Sequence, residues 1–420
     1  MKVSIIVIGD ELLLGQVTDT NSGDIARHIA PYGWEVNDVQ TVGDEAGEIR
    51  LAIDRAFELS DVVLTTGGLG PTKDDITKKV MCDYFGGELR EDPEVLENVL
   101  DVVRRRGFKI NKLTAAQAIV PTSCRVIQNR VGTAPIMWFE KEGKVLVSLP
   151  GVPFETREMF TTEVFPQLCE KYRTDVDIKH AVLMVTDYTE SGLAEKIAPW
   201  EEALPEYLHL AYLPKPGLIR LRIDGAHRDK AFITAEVSRA ATELAAMLGD
   251  AVIATDDLTP AQILLRHCRE RGLKLATAES CTGGNIAHEI TLIPGSSDVF
   301  VGSVVSYSNE VKMNLLGVGA ETLEVNGAVS QPVAQEMVEG VLRATGAQVA
   351  VATSGIAGPG GGSDEKPVGT VCMAAAVTTP EGRVICETET HHFPGNRSRV
   401  IDASTTRVLI KAIKLLRTIK

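Results

Sequence analysis

The chain reads as an α/β protein in three parts. Continuous apolar runs such as VSIIVIG and DVVLTTGG alternate with stretches of helical length, which is the pattern of parallel strands buried on both faces. Aromatic residues make up only 5 % of the chain, so the cores are aliphatic. A length of 420 residues corresponds to about two to four domains.

The first part is expected over 1–170. VSIIVIG opens it as a buried strand, and NSGDIARHIAPYGWEV follows as a helix, capped by Asn21 or Ser22, and then a strand. EIRLAIDRAFELS is a second helix and DVVLTTGG a second buried strand. KVLVSLPGVP repeats the strand-then-glycine theme. Strands and helices at this spacing predict a doubly wound sheet. Residues 171–255 read as a small α+β unit, with strands at HAVLMVTDY and GLIRLRIDG, helices at TESGLAEKIAPWEEAL and HRDKAFITAEVSRAATELAAMLGD, and ATDDLTP as linker. The last part, 256–420, opens on a helix, AQILLRHCRERG. Strands follow at LKLATAES, FVGSVVSYS, AQVAVATSG, GTVCMAAAV and RVICETETHHF, and a basic helix closes the chain.

A net charge of −14 argues against a general nucleic-acid or anionic-membrane surface and leaves room for a small phosphate ligand in a local pocket. The seven cysteines are scattered and contain no CxxC pair, so neither a disulfide framework nor a thiolate zinc site is expected. A reducing, cytoplasmic location is the expectation. The N-terminal apolar run is too short for a membrane span and ends in acids.

Two loops of the first part invite a ligand. In GGLGPTKDD, Gly67, Gly68 and Gly70 let backbone N–H groups approach an anion, with Asp74 and Asp75 directly after. The order of residues matches neither a Walker loop nor a dinucleotide fingerprint. Glycines beside acids suit a metal-bridged phosphate. They equally suit a helix whose first turn is capped by Asp74 and Asp75. Asp10 sits at the end of the first strand, where open α/β sheets bind ligands; its bland alternative is a solvated turn.

In the last part, TAESCTGG sets Ser280 and Cys281 between a strand and the helix GGNIAHEITLI. One reading is an N-cap at Ser280 or Thr282. The other is a nucleophile whose oxyanion is held by backbone N–H groups from Cys281 to Gly284, with Gly283 and Gly284 making room for substrate. Cys281 is the more reactive type, yet no histidine is placed to serve it; His288 is expected two turns along the helix. SVVSYSNEVKMNLLGV puts Tyr307 at a strand end, Asn309 as cap and Lys312 in the first helical turn. There the helix dipole and burial lower a lysine's pKa and fit it to take a serine proton. Lysine with serine, aided by tyrosine, is a known activation scheme; a surface lysine and a core-edge tyrosine are the alternative. Ser354-Gly355 leads into a glycine loop (Gly358, Gly360, Gly361) able to hold phosphate or simply to flex. Arg397 and Arg399 precede the last helix, and one of them is suited to pair with a phosphate. His391 and His392 fall on opposite faces of a strand and read as structural.

TAESCTGG, YSNEVK, SGIAGPGGG, KPVGTV and FPGNR together resemble the nicotinamide-nucleotide amidase domain. VIGDELLLGQVTDTN, TTGGLGPTKDD and LPGVPFE resemble the molybdopterin-binding-type domain that precedes it in the CinA (competence/damage-inducible) family, and the resemblance spans essentially the whole chain. It implies a molybdopterin-binding-like doubly wound domain, a small α+β connecting domain and an α/β amidase domain. It also implies hydrolysis of nicotinamide mononucleotide to nicotinic acid mononucleotide and ammonia by Ser280, Tyr307 and Lys312, without a cofactor. Arg397 is the favoured phosphate ligand. For the first domain it implies an ADP-ribose pyrophosphatase using a divalent metal (Mg, Mn, Co or Ni) at the GGLGPTKDD site, where Thr72 joins the glycines. Small nucleotide substrates, a homodimer and no nucleic-acid or membrane partner complete the expectation. The alternative is a non-catalytic nucleotide- or pterin-binding regulatory protein linked to competence.

Overall fold

A computed structural model describes residues 1–72, 75–173 and 175–419. Asp74, one of the expected metal ligands, lies outside the described residues. The chain divides into two compact units, one of Met1–Lys179 with Ala226–Ile233, the other of His180–Gly225 with Thr234–Lys420.

In the first unit β1 (Lys2–Ile8), β2 (Glu35–Val42), β3 (Val62–Thr66), β6 (Arg125–Ile127), β7 (Ile136–Lys141) and β8 (Lys144–Leu149) form one six-stranded sheet in the order β2-β1-β3-β8-β7-β6. A short pair, β4 (Leu89–Glu91) with β5 (Ile119–Pro121), stands apart from it. β1 runs parallel to β2 and β3, and β3 parallel to β8; β7 and β6 close the edge antiparallel. The apolar run of β1 serves both faces of the sheet. Val3, Ile5 and Val7 pack with Ile25 and Ile29, whereas Ile6 and Ile8 pack with Ile49 and Ile53. Because β1 is flanked by β2 and β3, consecutive connections leave it in opposite directions. That makes a topological switch point at its C-terminal end. The helix expected to be capped by Asn21 or Ser22 instead begins at Asn21, and the Asp19 carboxylate takes the N–H groups of Asn21 (2.9 Å) and Ser22 (3.2 Å).

The second unit carries two sheets. One joins β9 (Asp177–Val185), β10 (Leu208–Lys215), β11 (Leu218–His227) and β12 (Val252–Ala254) in the order β10-β11-β9-β12. β10 was not expected from the sequence. Its partner is β11, in register from Lys215 against Leu218, and the turn between them is Pro216-Gly217 with Gly217 at φ 76°. That dipeptide was the available signal. The other sheet joins β13 (Leu275–Glu279), β14 (Phe300–Val305), β15 (Val349–Gly355), β16 (Thr370–Thr378) and β17 (Val384–His392) in the order β14-β13-β15-β16-β17. β13 is parallel to both neighbours, so a second switch point lies at its C-terminal end; β16 and β17 are antiparallel.

β13 is buried on both faces. Ala276 and Ala278 face the helix Gln331–Thr345, and their small side chains let it lie close. Leu275 packs on the opposite side with Ile286 and with residues of the closing helix Arg397–Thr418. The helix Asn309–Leu316 is seated on Gln331–Thr345 at Gly340, where a β-carbon would come within 2.0 Å of the Leu316 carbonyl oxygen. Gly340→Ala should therefore overpack this contact and destabilise the fold by about 1–3 kcal/mol, read from urea unfolding.

Candidate functional site

The C-terminal ends of β13, β14 and β15 converge on Ser280. Its N–H bonds the Thr353 carbonyl of β15 (3.0 Å), which fixes the residue across the strand ends. From the first turn of helix Asn309–Leu316, Lys312 reaches back so that Nζ lies 3.1 Å from Ser280 Oγ. The same nitrogen is 2.8 Å from the Ser306 carbonyl oxygen and 3.5 Å from that of Tyr307. A neutral amine has two N–H donors and one lone pair. Nζ donates to Ser280 Oγ as an ammonium; as a neutral amine it can give its two donors to the carbonyls and turn its lone pair to the Ser280 hydroxyl. Lys312 is only 1 % exposed, and burial holds its amine below the ordinary lysine range. The helix is capped by Ser308, whose Oγ accepts the Val311 N–H (3.4 Å), where the sequence suggested Asn309.

Cys281 stands beside Ser280 but turns into the core, packed in the same apolar cluster as Leu275 and Ile286. Burial pushes its thiol up to about 12, so it is a neutral thiol near pH 7. His288 lies in the first turn of the helix Asn285–Thr291, nearer than the two turns expected, and it lines an open crevice of about 690 Å³ with Thr282, Gly283, Gly284 and Arg397. Tyr307 departs from its expected role. Its backbone carbonyl, not its phenol, faces Lys312, and its ring is 63 % exposed. The phenol oxygen accepts from Arg397 Nη2 (2.9 Å), while Arg397 Nη1 donates to the Gly358 carbonyl (2.9 Å). Arg397 thus ties the tyrosine to the glycine loop at the crevice wall. Ser354 is buried, and its hydroxyl is spent on the Ala328 carbonyl (2.6 Å); Gly355 closes β15, and Gly360 and Gly361 are exposed.

Sequence reasoning missed the residue with the most bonds in this site. Glu279, the last residue of β13, is completely buried, and its carboxylate accepts from Thr282 Oγ1 (2.8 Å) and from the N–H groups of Gly284 (2.9 Å), Ile286 (3.0 Å) and Ala287 (2.9 Å). The Gly283 N–H bonds the Ser280 carbonyl (3.1 Å). The N–H groups of Gly283 and Gly284, expected at an oxyanion, are therefore already engaged. An acid inside an otherwise apolar strand was the signal for Glu279.

In the first unit a crevice of about 560 Å³ opens at the C-terminal ends of β1, β3 and β8. The loop 67–70 borders it. A β-carbon on Gly67 would meet the Ile8 carbonyl oxygen at 2.0 Å, and one on Gly68 would meet Thr77 Oγ1 at 2.1 Å, so the glycines allow close packing on β1 and the next helix. Asp75 folds onto this loop, accepting from the N–H groups of Gly70 (2.7 Å) and Thr72 (2.8 Å) and from the Thr72 hydroxyl. Asp10 and Asp44 exchange backbone-to-carboxylate bonds of 3.1 Å in each direction. The expected ligands Asp10 and Asp75 are engaged in these loop bonds, and among the described residues no three His, Cys, Asp or Glu side chains converge as a metal centre. Two side-chain oxygens of crevice residues, Asn21 Oδ1 and Thr66 Oγ1, are buried and have no hydrogen-bond partner among the described residues. Lys78, brought down to about 8 by burial, donates to the main chain and side chain of Gln117, which also lines it. Among the described residues no helix is long and apolar enough to cross a membrane, and all seven cysteines are free thiols.

Residues 4–170 match the family model described as "Probable molybdopterin binding domain", and residues 258–417 match the "CinA C-terminal domain". A "CinA-like protein" of Flavobacterium psychrophilum is 40 % identical over 412 residues, covering 97 % of each chain. Another, from Cytophaga hutchinsonii, is 42 % identical over 89 % of each. A solved structure, the competence/damage inducible protein CihA from Agrobacterium tumefaciens, is 41 % identical, with 38 % of this chain and 93 % of that one covered at a TM-score of 0.35. The chain belongs to the CinA family.

Proposed function

We propose that the second unit is an amidase acting on nicotinamide mononucleotide. The observation that carries this is the buried Lys312 amine 3.1 Å from Ser280 Oγ, with the Ser306 and Tyr307 carbonyl oxygens also around its nitrogen. Ser280 attacks the carboxamide carbon and Lys312 takes its proton. Collapse of the tetrahedral intermediate breaks the carbon–nitrogen bond, and Lys312 returns the proton to the leaving amine as ammonia. Water, deprotonated by the same amine, then hydrolyses the ester to nicotinic acid mononucleotide and frees Ser280. Arg397 borders the crevice where the nucleotide's phosphate is suited to lie, and the Gly358 carbonyl and the Tyr307 phenol orient its guanidinium. No cofactor enters this scheme.

A second reading concerns the first unit, supported by the two unpaired oxygens of Asn21 and Thr66 in its crevice. It takes a nucleotide diphosphate and splits ADP-ribose to AMP and ribose 5-phosphate. A divalent ion (Mg, Mn, Co or Ni) belongs to that reading, but no step is routed through it because the described carboxylates do not converge. A regulatory module that binds a nucleotide or pterin without turnover is the competing outcome. A homodimer completes the proposal, and light scattering measures it.

Ser280→Ala should lower ammonia release by about a thousand-fold or more. Cys281→Ala should stay within about three-fold of wild type, since the thiol is buried and neutral. An active Ser280→Ala variant sinks the nucleophile assignment. The pH profile has a definite sign: the base must be neutral, so kcat/KM should rise with pH along a limb whose midpoint lies below the ordinary lysine value. For the first unit, AMP should form from ADP-ribose and stop on adding EDTA; tight binding without AMP would favour the regulatory reading.

A further inference from the structure

We propose that Glu279 is the positioning residue of the Ser280 site, and that the N–H groups of Cys281 and Thr282 are its oxyanion donors. The proposal rests on the amidase reading and specifies how that site is held.

Each oxygen of the buried carboxylate accepts three hydrogen bonds. Oε1 takes the Thr277 hydroxyl (3.2 Å), the Ala287 N–H (2.9 Å) and the Ser303 hydroxyl (3.3 Å). Oε2 takes the Thr282 hydroxyl (2.8 Å) and the N–H groups of Gly284 (2.9 Å) and Ile286 (3.0 Å). A carboxylate whose two oxygens are both so fully used is a fixed hub of the loop. The start of helix Asn285–Thr291 is thereby neutralised from inside the protein. It cannot also stabilise charge on the substrate.

What remains follows by accounting for each N–H in turn. Ser280 donates to Thr353, Gly283 to Ser280, and Gly284, Ile286 and Ala287 to Glu279. Among the described residues, the N–H groups of Cys281 and Thr282 reach no carbonyl or carboxylate, and the Cys281 N–H lies only against its own thiol. They belong to the two residues directly after the nucleophile, where a developing oxyanion needs donors. Thr282 is clamped by its hydroxyl between Glu279 Oε2 and Thr353 Oγ1, both at 2.8 Å. Glu279 also reaches the base. Its carbonyl accepts the Ser306 N–H (2.8 Å), and the Ser306 carbonyl accepts Lys312 Nζ (2.8 Å). The side chain holds the oxyanion loop, and the main chain holds the carbonyl that aims the lysine.

The test follows p-nitrophenolate release from p-nitrophenyl acetate alongside ammonia release from nicotinamide mononucleotide. Burst amplitude counts functional serines, and burst rate reads the chemistry of each one. Glu279→Gln should keep the amplitude and slow the rate by about ten- to a hundred-fold, with KM for the nucleotide within about three-fold. A lost amplitude with an unchanged rate per site would mean a merely structural role and overturn the proposal. Should Glu279→Gln fail to fold, Thr282 decides. Thr282→Val should slow the burst by about ten-fold, and Thr282→Ser, which keeps the hydroxyl, should restore it to within about three-fold. A Thr282→Val rate equal to wild type overturns the proposal. No ammonia from the nucleotide with an intact, Ser280-dependent burst defeats the amidase reading and leaves this one standing. No burst in the wild-type chain overturns both.

Discussion

Lys312 is a long cationic side chain buried to 1 % exposure, and the geometry of the second unit depends on how that burial is tolerated. An ammonium in such a place is costly, and burial lowers the amine's pKa below the ordinary lysine range. A neutral amine can be held by two carbonyls and still offer a lone pair to a hydroxyl. The Ser306 and Tyr307 carbonyls and the Ser280 hydroxyl are those three groups. They come from the ends of β13 and β14, which are neighbours only because the sheet order places them so. The lysine itself arrives on a helix whose seat is a glycine-to-backbone contact at Gly340.

A buried carboxylate balances the other side of the same strand end. Glu279 sits one residue before Ser280 on a strand whose other side chains are small or apolar. It is tolerated because helix N–H groups and hydroxyls surround it. The site therefore combines a desolvated amine, whose pKa burial lowers, with a buried carboxylate enclosed by donors. The first unit repeats the arrangement of strands but not of charges. Its crevice also opens at a switch point, yet its acids bind their own loops, and its buried unpaired oxygens belong to Asn21 and Thr66.

Much of this could be read from residue order. Buried strands show as apolar runs, so β1, β3 and β15 were each visible where they lie, and β13 was visible as an alternating stretch. Ser280 and Lys312 stood out for their residue types beside predicted strand and helix ends. β10 was overlooked because its polar and aromatic residues dilute the alternation, and only the Pro216-Gly217 turn marked it. Asp75 looked like a metal ligand because a carboxylate next to glycines has two uses, and nothing in the local order says which oxygen or N–H it will meet.

The sequence by itself determined the α/β class, the strand-end positions of the glycine and serine motifs, and the family. Those follow from period, turn chemistry and motif order, which are local properties. Only the tertiary structure decided that the Tyr307 phenol belongs to Arg397, that Asp75 closes its own loop, and that Glu279 takes the helix N–H groups otherwise free for an oxyanion. Each of these is a competition among several donors for one acceptor, or among several acceptors for one donor. Its outcome depends on distances between residues far apart in the chain, which composition and spacing do not encode.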